Sequence, residues 1–373
     1  MSAHGQHEAP RRELLPGVTR RAAVLVVGVL LLQLGFVLSY VGAFHAPVPR
    51  EVPLAVVAPA GAPAGTAEQL VAQLDGLPGR PLDATAHGSE DDARQALADR
   101  DVDGVLLAGS GSQDTLLVAG AEGGAVATAL EQVLTQADAA QQRTLTTTDV
   151  LPAGDGDARG LSAFYLAVGW VVGGYLVASI IGVSAGSRPA TRGRAGTRLV
   201  ALALYALVSG LGGALIAGPV LGALDGGHTL ELTLFGALLV FAVGAATAAL
   251  QVWTGLVGIG LAILAFVVLG NPSAGGAYPA PLLPPFWAAI GPWLPPGAGT
   301  GAVRGIVYFD GAGVGQAVAV LAAYAVVGTA ATLLGAGRGI TAAPTPEPTP
   351  EPTPEPTRDR AAGAPPAGRA PAR

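Results

Sequence analysis

Six apolar runs of nineteen to twenty-six residues dominate this 373-residue chain: Ala22–Phe44, Leu161–Val183, Leu199–Leu224, Leu230–Leu250, Val252–Gly270 and about Val314–Leu334. A helix rising ~1.5 Å per residue needs about twenty residues to cross the ~30 Å hydrocarbon layer, so every run is long enough, or nearly so, to be a span. Charged residues make up 12% of the chain, against roughly a quarter in a typical soluble domain. The fold expected is an α-helical integral membrane protein with six transmembrane helices, at 22–44, 161–183, 199–224, 230–250, 252–270 and 313–336, with an extracytoplasmic α/β domain inserted between helices 1 and 2. The alternative for the first run is a cleaved signal peptide, since Val41-Gly-Ala43 suits a small-residue cleavage rule, but its apolar core exceeds the usual ~7–15 residues.

Arginine distribution orients the spans. All twenty basic residues are arginine. With the N-terminus inside, thirteen fall in cytoplasmic segments: four in 1–21, Arg188, Arg192, Arg194 and Arg198 in the loop 184–198, and five in 337–373. Of the seven outside, six lie in one long insert, whose charges count little toward topology. Both termini are therefore expected in the cytoplasm, in a plasma membrane. The C-terminal "PTPEPTPEPTPEPT" reads as an extended, disordered polyproline spacer, because alternate residues lack an amide hydrogen.

The insert, 45–160, holds seventeen acidic residues and six arginines and reads as a soluble domain able to fold alone over Pro47–Pro152. Its blocks give strand "VPLAVVAP", helix "TAEQLVAQLDGL", a short strand near Pro81–Ala86, helix "SEDDARQALADRD", strands "VDGVLLAG" and "DTLLVAG", helix Gly124–Gln142 and strand "TLTTTDVLP". That alternation favours a small α/β sandwich.

Several chemistries are excluded. With no lysine there is no Walker A loop or Schiff base, and with no cysteine there is no thiolate catalysis, disulfide or thiolate metal site. The five histidines lack catalytic or metal-ligand spacing, so no enzyme activity, cofactor or metal is expected in this chain. "DRDVDGVLLAGS" matches a calcium loop at Asp99, Asp101 and Asp103, but Ser110 stands where the bidentate glutamate belongs; a helix end, a turn and a buried strand fit the run better. "SEDD" reads as a capped helix start rather than an acidic metal cluster. No Asp, Glu, His or Arg lies near the middle of a span, which disfavours proton- or sodium-coupled transport.

The segment 271–312 sits between two spans yet is broken by Pro and Gly. Broken backbone is tolerated at membrane depth only where protein or water satisfies it, and amphipathic aromatics favour the headgroup zone. It is read as an outer re-entrant or interfacial segment, with Tyr278, Pro279, Phe286, Trp287, Trp293 and Pro295 as a candidate outer gate. Gly297, Gly301 and Gly305 read as sites of close helix contact. Gly169, Gly173, Gly174, Ala178 and Gly182 form a small-residue face in the second span, for packing within the bundle or for dimerisation.

One span, a large outer α/β domain, then five spans with a Pro-rich outer segment before the last resembles the type-2 ABC permease superfamily, particularly its phage-infection-protein (Pip) branch. The residues carrying the likeness are "LSAFYLAVGWVVGGYL", "NPSAGGAYPAPLLPPFWAAIGPWLPPGAGTGAVRGIVYFDG" and "ALADRDVDGVLLAG". The resemblance implies a permease-like subunit in the lipid bilayer, a homodimer or heterodimer, exporting a hydrophobic or amphiphilic substance with ATP bound by a separate cytoplasmic ATPase subunit; Arg188, Arg192, Arg194 and Arg198 would form the coupling loop. The chain departs from that pattern in a short segment before the first span and in Gly and Pro within the basic loop. A non-transporting envelope scaffold, secretion accessory or receptor presenting the α/β domain is the rival expectation. No nucleic-acid partner is expected.

Overall fold

The computed structural model describes residues 20–224 and 226–337; the expected N-terminal segment and Pro-rich tail fall almost wholly outside them. Helix α1 (Arg20–Phe44) leads into a five-stranded sheet, β1 (Val52–Val57), β2 (Leu82–His87), β3 (Gly104–Leu107), β4 (Gln113–Val118) and β5 (Thr144–Asp149), interleaved with α2 (Thr66–Asp75), α3 (Glu90–Ala98) and α4 (Gly124–Ala140). Spatial order is β2-β1-β3-β4-β5, parallel except for the β3–β4 pair. Ser89 caps α3 by accepting from the Asp92 amide at 3.1 Å, and Glu90, Asp91 and Asp92 fill the first turn, where the helix dipole favours them.

Each sheet face has its own core, and neither core is complete within the insert. Val52, Leu54, Val56, Leu116 and Val118 pack with Leu74 of α2 and Val126, Leu130 and Leu134 of α4, and Leu282, 3% exposed, completes this layer. On the other face Ala55, Val105 and Leu117 meet Ala93 and Leu97 of α3, and Phe309, 5% exposed, closes it. Leu282 and Phe309 both come from the segment 271–312. The Arg50 amide also donates to the Pro281 carbonyl at 3.0 Å, so the α/β domain is joined directly to that segment.

The helical part comprises α5 (Ser162–Ser184), α6 (Arg192–Leu215), α7 (Thr229–Thr254), α8 (Val257–Ile263), α9 (Pro285–Ile290), α10 (Pro295–Tyr308) and α11 (Val314–Gly335). Among the described residues five helices are long and apolar enough to cross a membrane: Ala22–Phe44, Ser162–Ser184, Arg192–Val220, Gly226–Thr254 and Val314–Gly335. α7 is the axis on which α5, α6 and α11 pack. A Cβ at Gly174 would lie 2.7 Å from the Val240 carbonyl oxygen, and one at Gly328 2.6 Å from the Ala245 carbonyl carbon, so α5 and α11 approach α7 backbone to backbone, as small residues permit.

Three boundaries differ from expectation. The fourth apolar helix does not turn at Gln251-Val252-Trp253: Gln251 is 2% exposed inside the bundle, α7 continues to Thr254, and Gly255, at φ 67°, makes the break. What remains of the fifth expected span is a 13-residue apolar helix, Val257–Leu269, whose second half is a π-helix; at ~1.5 Å per residue it covers only about 20 Å. The third span also starts earlier than 199. Thr191 caps α6 by accepting from the Arg194 amide at 3.2 Å, so Arg192, Arg194 and Arg198 stand on the helix and not in a loop.

Despite the short α8, the chain returns along the bundle between Thr254 and Pro281. Val252 and Trp253 carbonyls accept from Arg188 at the end far from the sheet, whereas Pro281 is bonded to Arg50 at the domain end. α9 and α10 then fold back into the domain end of the bundle. Pro296, Gly299, Ala302 and Val303 of α10 are buried, with Ala302 and Val303 in one core with Ala167, Leu239 and Leu321.

Candidate functional site

A cavity of about 480 Å³ lies at the seam between the α/β domain and the helices, within the size range of small-molecule sites. Its charged lining comes from the turn after α3, the turn after β4 and Arg304 of α10; small residues of α10 and α11, among them Gly297, Ala298, Gly301 and Ala317, lie alongside.

Arg100 reaches the seam because α3 ends in a tight turn. The Asp101 amide bonds back to the Ala96 carbonyl at 2.9 Å, and Arg100 takes a left-handed φ of 65°. Its Nη1 donates to the Gly301 carbonyl at 2.9 Å and more weakly to Ala312 at 3.4 Å. Its Nη2 donates to Glu122 Oε1 at 2.8 Å, and the guanidinium lies 5.2 Å from the Phe309 ring centre. Glu122 closes the 3-10 turn Gly120–Glu122, followed by Gly123 at φ 122°.

Arg304 is the deepest charge, 2% exposed. Nη1 donates to the Gly275 carbonyl at 3.0 Å and Nη2 to Gly160 at 3.2 Å, tying α10 to the exit of the α/β domain. Glu122 Oε1 lies 4.0 Å away, but that oxygen is already bound by Arg100. Arg304 Nε and Glu122 Oε2 are both buried without a hydrogen-bond partner, an expensive condition for charged groups. Burial pulls the Arg304 guanidinium below its ordinary value, partly offset by Glu122. Burial also pushes the half-buried Asp103 carboxyl up to about 7, with Glu122 adding to the rise and Arg100 opposing it.

Asp157 holds the same junction from the other side. Its Oδ1 accepts from the amides of Leu161 and Ser162 at 2.9 Å each, satisfying the start of α5. Oδ2 accepts from the Tyr308 hydroxyl at 3.2 Å. Burial, then the Asp157 charge, pushes Tyr308 up to about 12.

The residues singled out from sequence are distributed unevenly around this seam. Asp99, Asp101 and Asp103 line the cavity, but no group of three or more acidic or histidine side chains is placed to hold a metal among the described residues. Pro279 lines the cavity as well, while Tyr278 packs at the α/β core and 5.8 Å from Phe44. Trp287 donates to Ser39 Oγ of α1 at 3.1 Å. Phe286 and Trp293 are exposed, and Pro295 is buried. Of the small-residue face, Gly174, Ala178 and Gly182 are buried within the bundle, Gly173 faces Tyr205 of α6, and Gly169 faces open space. Gly297 and Gly305 admit the carbonyls of Gly291 and Ala312, whereas Gly301 is open toward Arg100. Among the arginines, Arg188 binds the last carbonyls of α7; Arg198 donates to Gly186 at 2.7 Å and to Ala185, past the end of α5. Arg192 and Arg194 are exposed.

Arg100, Glu122 and Arg304 were not among the site residues expected from sequence. Arg304 had a signal: it is the single charge in the apolar stretch Asn271–Ile306, and an ionisable residue in such surroundings points to function. Arg100 and Glu122 had none, since each sits in an ordinary polar turn.

Five helices able to cross a membrane and a five-stranded α/β domain fused to one end of their bundle define the class: a multi-pass α-helical membrane protein with an appended α/β domain. No protein family, curated protein or solved structure matches the chain.

Proposed function

We propose that the chain is the permease-like membrane subunit of an ABC-type exporter, moving a hydrophobic or amphiphilic substance and energised by a separate cytoplasmic ATPase. The observation carrying this reading is the Pro-bounded pair α9–α10, folded into the bundle between α8 and α11 beneath the α/β domain. A segment in that position is packed against three helices, α5, α7 and α11, so a shift in any of them moves the wall of the seam cavity. In this reading the chain crosses the plasma membrane six times, the fifth through the short α8 and the turn after it. The domain end lies outside, both termini lie in the cytoplasm, and two copies or two related subunits work together.

A scaffold or receptor role is the second reading. Arg188 and Arg198 are spent on carbonyls of this chain, and only the seven residues 185–191 separate α5 from α6, leaving the exposed Arg192 and Arg194 as the basic surface for an ATPase.

The deciding experiment purifies the tagged full-length protein from its native membrane in mild detergent. A co-purifying subunit with vanadate-sensitive ATP hydrolysis, lost in the double variant Arg192→Glu, Arg194→Glu while thermal unfolding is unchanged, supports the exporter. A well-folded preparation without ATP hydrolysis sinks it in favour of the scaffold.

A further inference from the structure

We propose that the groove between α7 and α11 binds a single-chain cationic amphiphile, its ammonium held between Glu231 and Asp310. The proposal rests on the export reading only in giving the exported amphiphile a class; binding itself is tested without transport or an ATPase.

The groove is built from one face each of α7 and α11. Glu231, Leu234, Phe235 and Leu238 follow the i, i+3, i+4, i+7 spacing along α7, and Val314 and Val318 stand one turn apart on α11. These residues line a volume of about 560 Å³. From Glu231 to Leu238 the helix rises about 10 Å, a third of the ~30 Å hydrocarbon layer. Leu234 is 58% and Val318 39% exposed, so the apolar wall opens sideways, where lipid tails lie when the bundle sits in a membrane.

The polar end of the groove is acidic. Glu231 stands in the first turn of α7, and helical side chains lean toward the N-terminus, which carries its carboxylate toward the domain end. Asp310 is fixed in the turn between α10 and α11 at a left-handed φ of 46°, uncommon for a residue with a side chain. On either side of it the Phe309 and Gly311 amides both donate to the Gly305 carbonyl, at 3.2 and 2.8 Å. Both carboxylates are exposed, and neither has an ion-pair or hydrogen-bond partner among the described residues.

No cation of this half of the chain answers them. Arg304 is the only basic residue from Thr229 to Gly335, and it is 2% exposed with its Nη atoms on the Gly275 and Gly160 carbonyls. The groove therefore offers negative charge at one end and hydrocarbon along the rest. An anionic lipid is repelled at the mouth, a zwitterion finds no arginine for its phosphate, and a neutral chain leaves both carboxylates unmatched. An ammonium on one apolar chain complements both ends at once. His228, also at the mouth, accepts a further hydrogen bond when neutral.

The full-length protein in phosphatidylcholine nanodiscs is irradiated with a dodecylamine bearing a diazirine in its chain, and the adducts are mapped by peptide mass spectrometry. Adducts are expected within 234–238 and 314–318. Unlabelled dodecylamine is expected to suppress them at a concentration about tenfold or more below that of dodecanol, dodecylphosphocholine or butylamine. The double variant Glu231→Gln, Asp310→Asn keeps side chains that suit a helix and a left-handed turn; it is expected to raise the dodecylamine concentration required about tenfold, the scale of two exposed ion pairs. Val318→Trp is expected to fill the groove and remove the adducts with thermal unfolding unchanged. Equal suppression by dodecanol makes the groove a bed for any hydrocarbon chain, equal suppression by dodecylphosphocholine makes it a site for zwitterionic lipid, and either overturns the proposal. So do adducts as frequent on the exposed α1 as in the groove, or suppression undiminished in the double variant. None of these outcomes bears on co-purification of an ATPase, so this site and the export reading fail separately.

Discussion

Arg100 Nη1 donates to the carbonyl of Gly301 at 2.9 Å across 201 residues of chain, and this bond fastens the turn after α3 to α10. The same guanidinium holds Glu122 and faces Phe309. Arg100→Ala therefore leaves a largely buried carboxylate and the Gly301 carbonyl unmatched, a loss of about 2–4 kcal/mol. Arg94→Ala removes an exposed i,i+4 pair with Glu90, where about 0.5 kcal/mol or less is at stake. Thermal unfolding and limited proteolysis of the full-length variants check the contrast; equal effects would show that Arg100 does not dock the domain.

Asp103 makes the seam sensitive to pH in a defined direction. Its carboxyl is raised from 3.8 to about 7 in the folded chain, so the folded state holds a proton that the unfolded state has lost. Stability from this group falls as pH rises from about 4 to 7, and the cost is fully present above 7. Asp103→Asn removes the cost. Allowing for partial exposure, the variant is expected to gain about 1–3 kcal/mol over wild type at pH 8 and little at pH 4. Unfolding measured at both pH values decides it; a gain that is the same at both would exclude titration of Asp103 as the cause.

Leu282 belongs in sequence to the segment between α8 and α9, but in space to the core of the α/β domain. Leu282→Ala is expected to destabilise by about 2–4 kcal/mol, with faster amide exchange in β1 and β2, far from it in sequence. The fragment Pro47–Pro152 lacks both Leu282 and Phe309. Each such side chain is worth about 1.5–3 kcal/mol when buried, so the fragment forgoes about 3–6 kcal/mol of a total that is typically 5–15. A denaturation midpoint for the fragment equal to that of the domain in the whole chain would refute this.

The elements of the α/β domain were legible because each carries a local signal. Short apolar runs mark β1 and β4, the 3.6 period marks α2 and α4, and Ser89 with its acidic first turn marks α3. The turn at Gly255 was not, because a polar Gln251 in an apolar run reads as a break although its side chain is buried. The site was the least legible part. Arg304 meets Gly160 across 144 residues, Arg100 meets Ala312 across 212, and no periodicity records contacts at that range. The two faces of the sheet draw on the same range: Leu282 reaches one after four intervening helices, α5 to α8, and Phe309 reaches the other after six, α5 to α10.

The disposition of the chain across the membrane is open to single-cysteine labelling, since the native sequence has no thiol. Ala280 is exposed beside the α/β domain, whereas Ala298 is 5% exposed in the cavity wall. Both belong to the segment 271–312, read from sequence as lying on the outer side, and their burial predicts that Ala280→Cys reacts quickly with a membrane-impermeant reagent and Ala298→Cys slowly. Arg194→Cys stands exposed at the opposite end of α6 and is expected to react only once the cytoplasmic face is opened. The pair Ala280→Cys and Arg194→Cys must therefore label from opposite sides, because an odd number of passages, α6, α7 and α8, separates them. Labelling of both from one side would mean that the 13-residue helix Val257–Leu269 does not carry the chain back across the membrane, and it would remove the sixth crossing along with the outer placement of the seam.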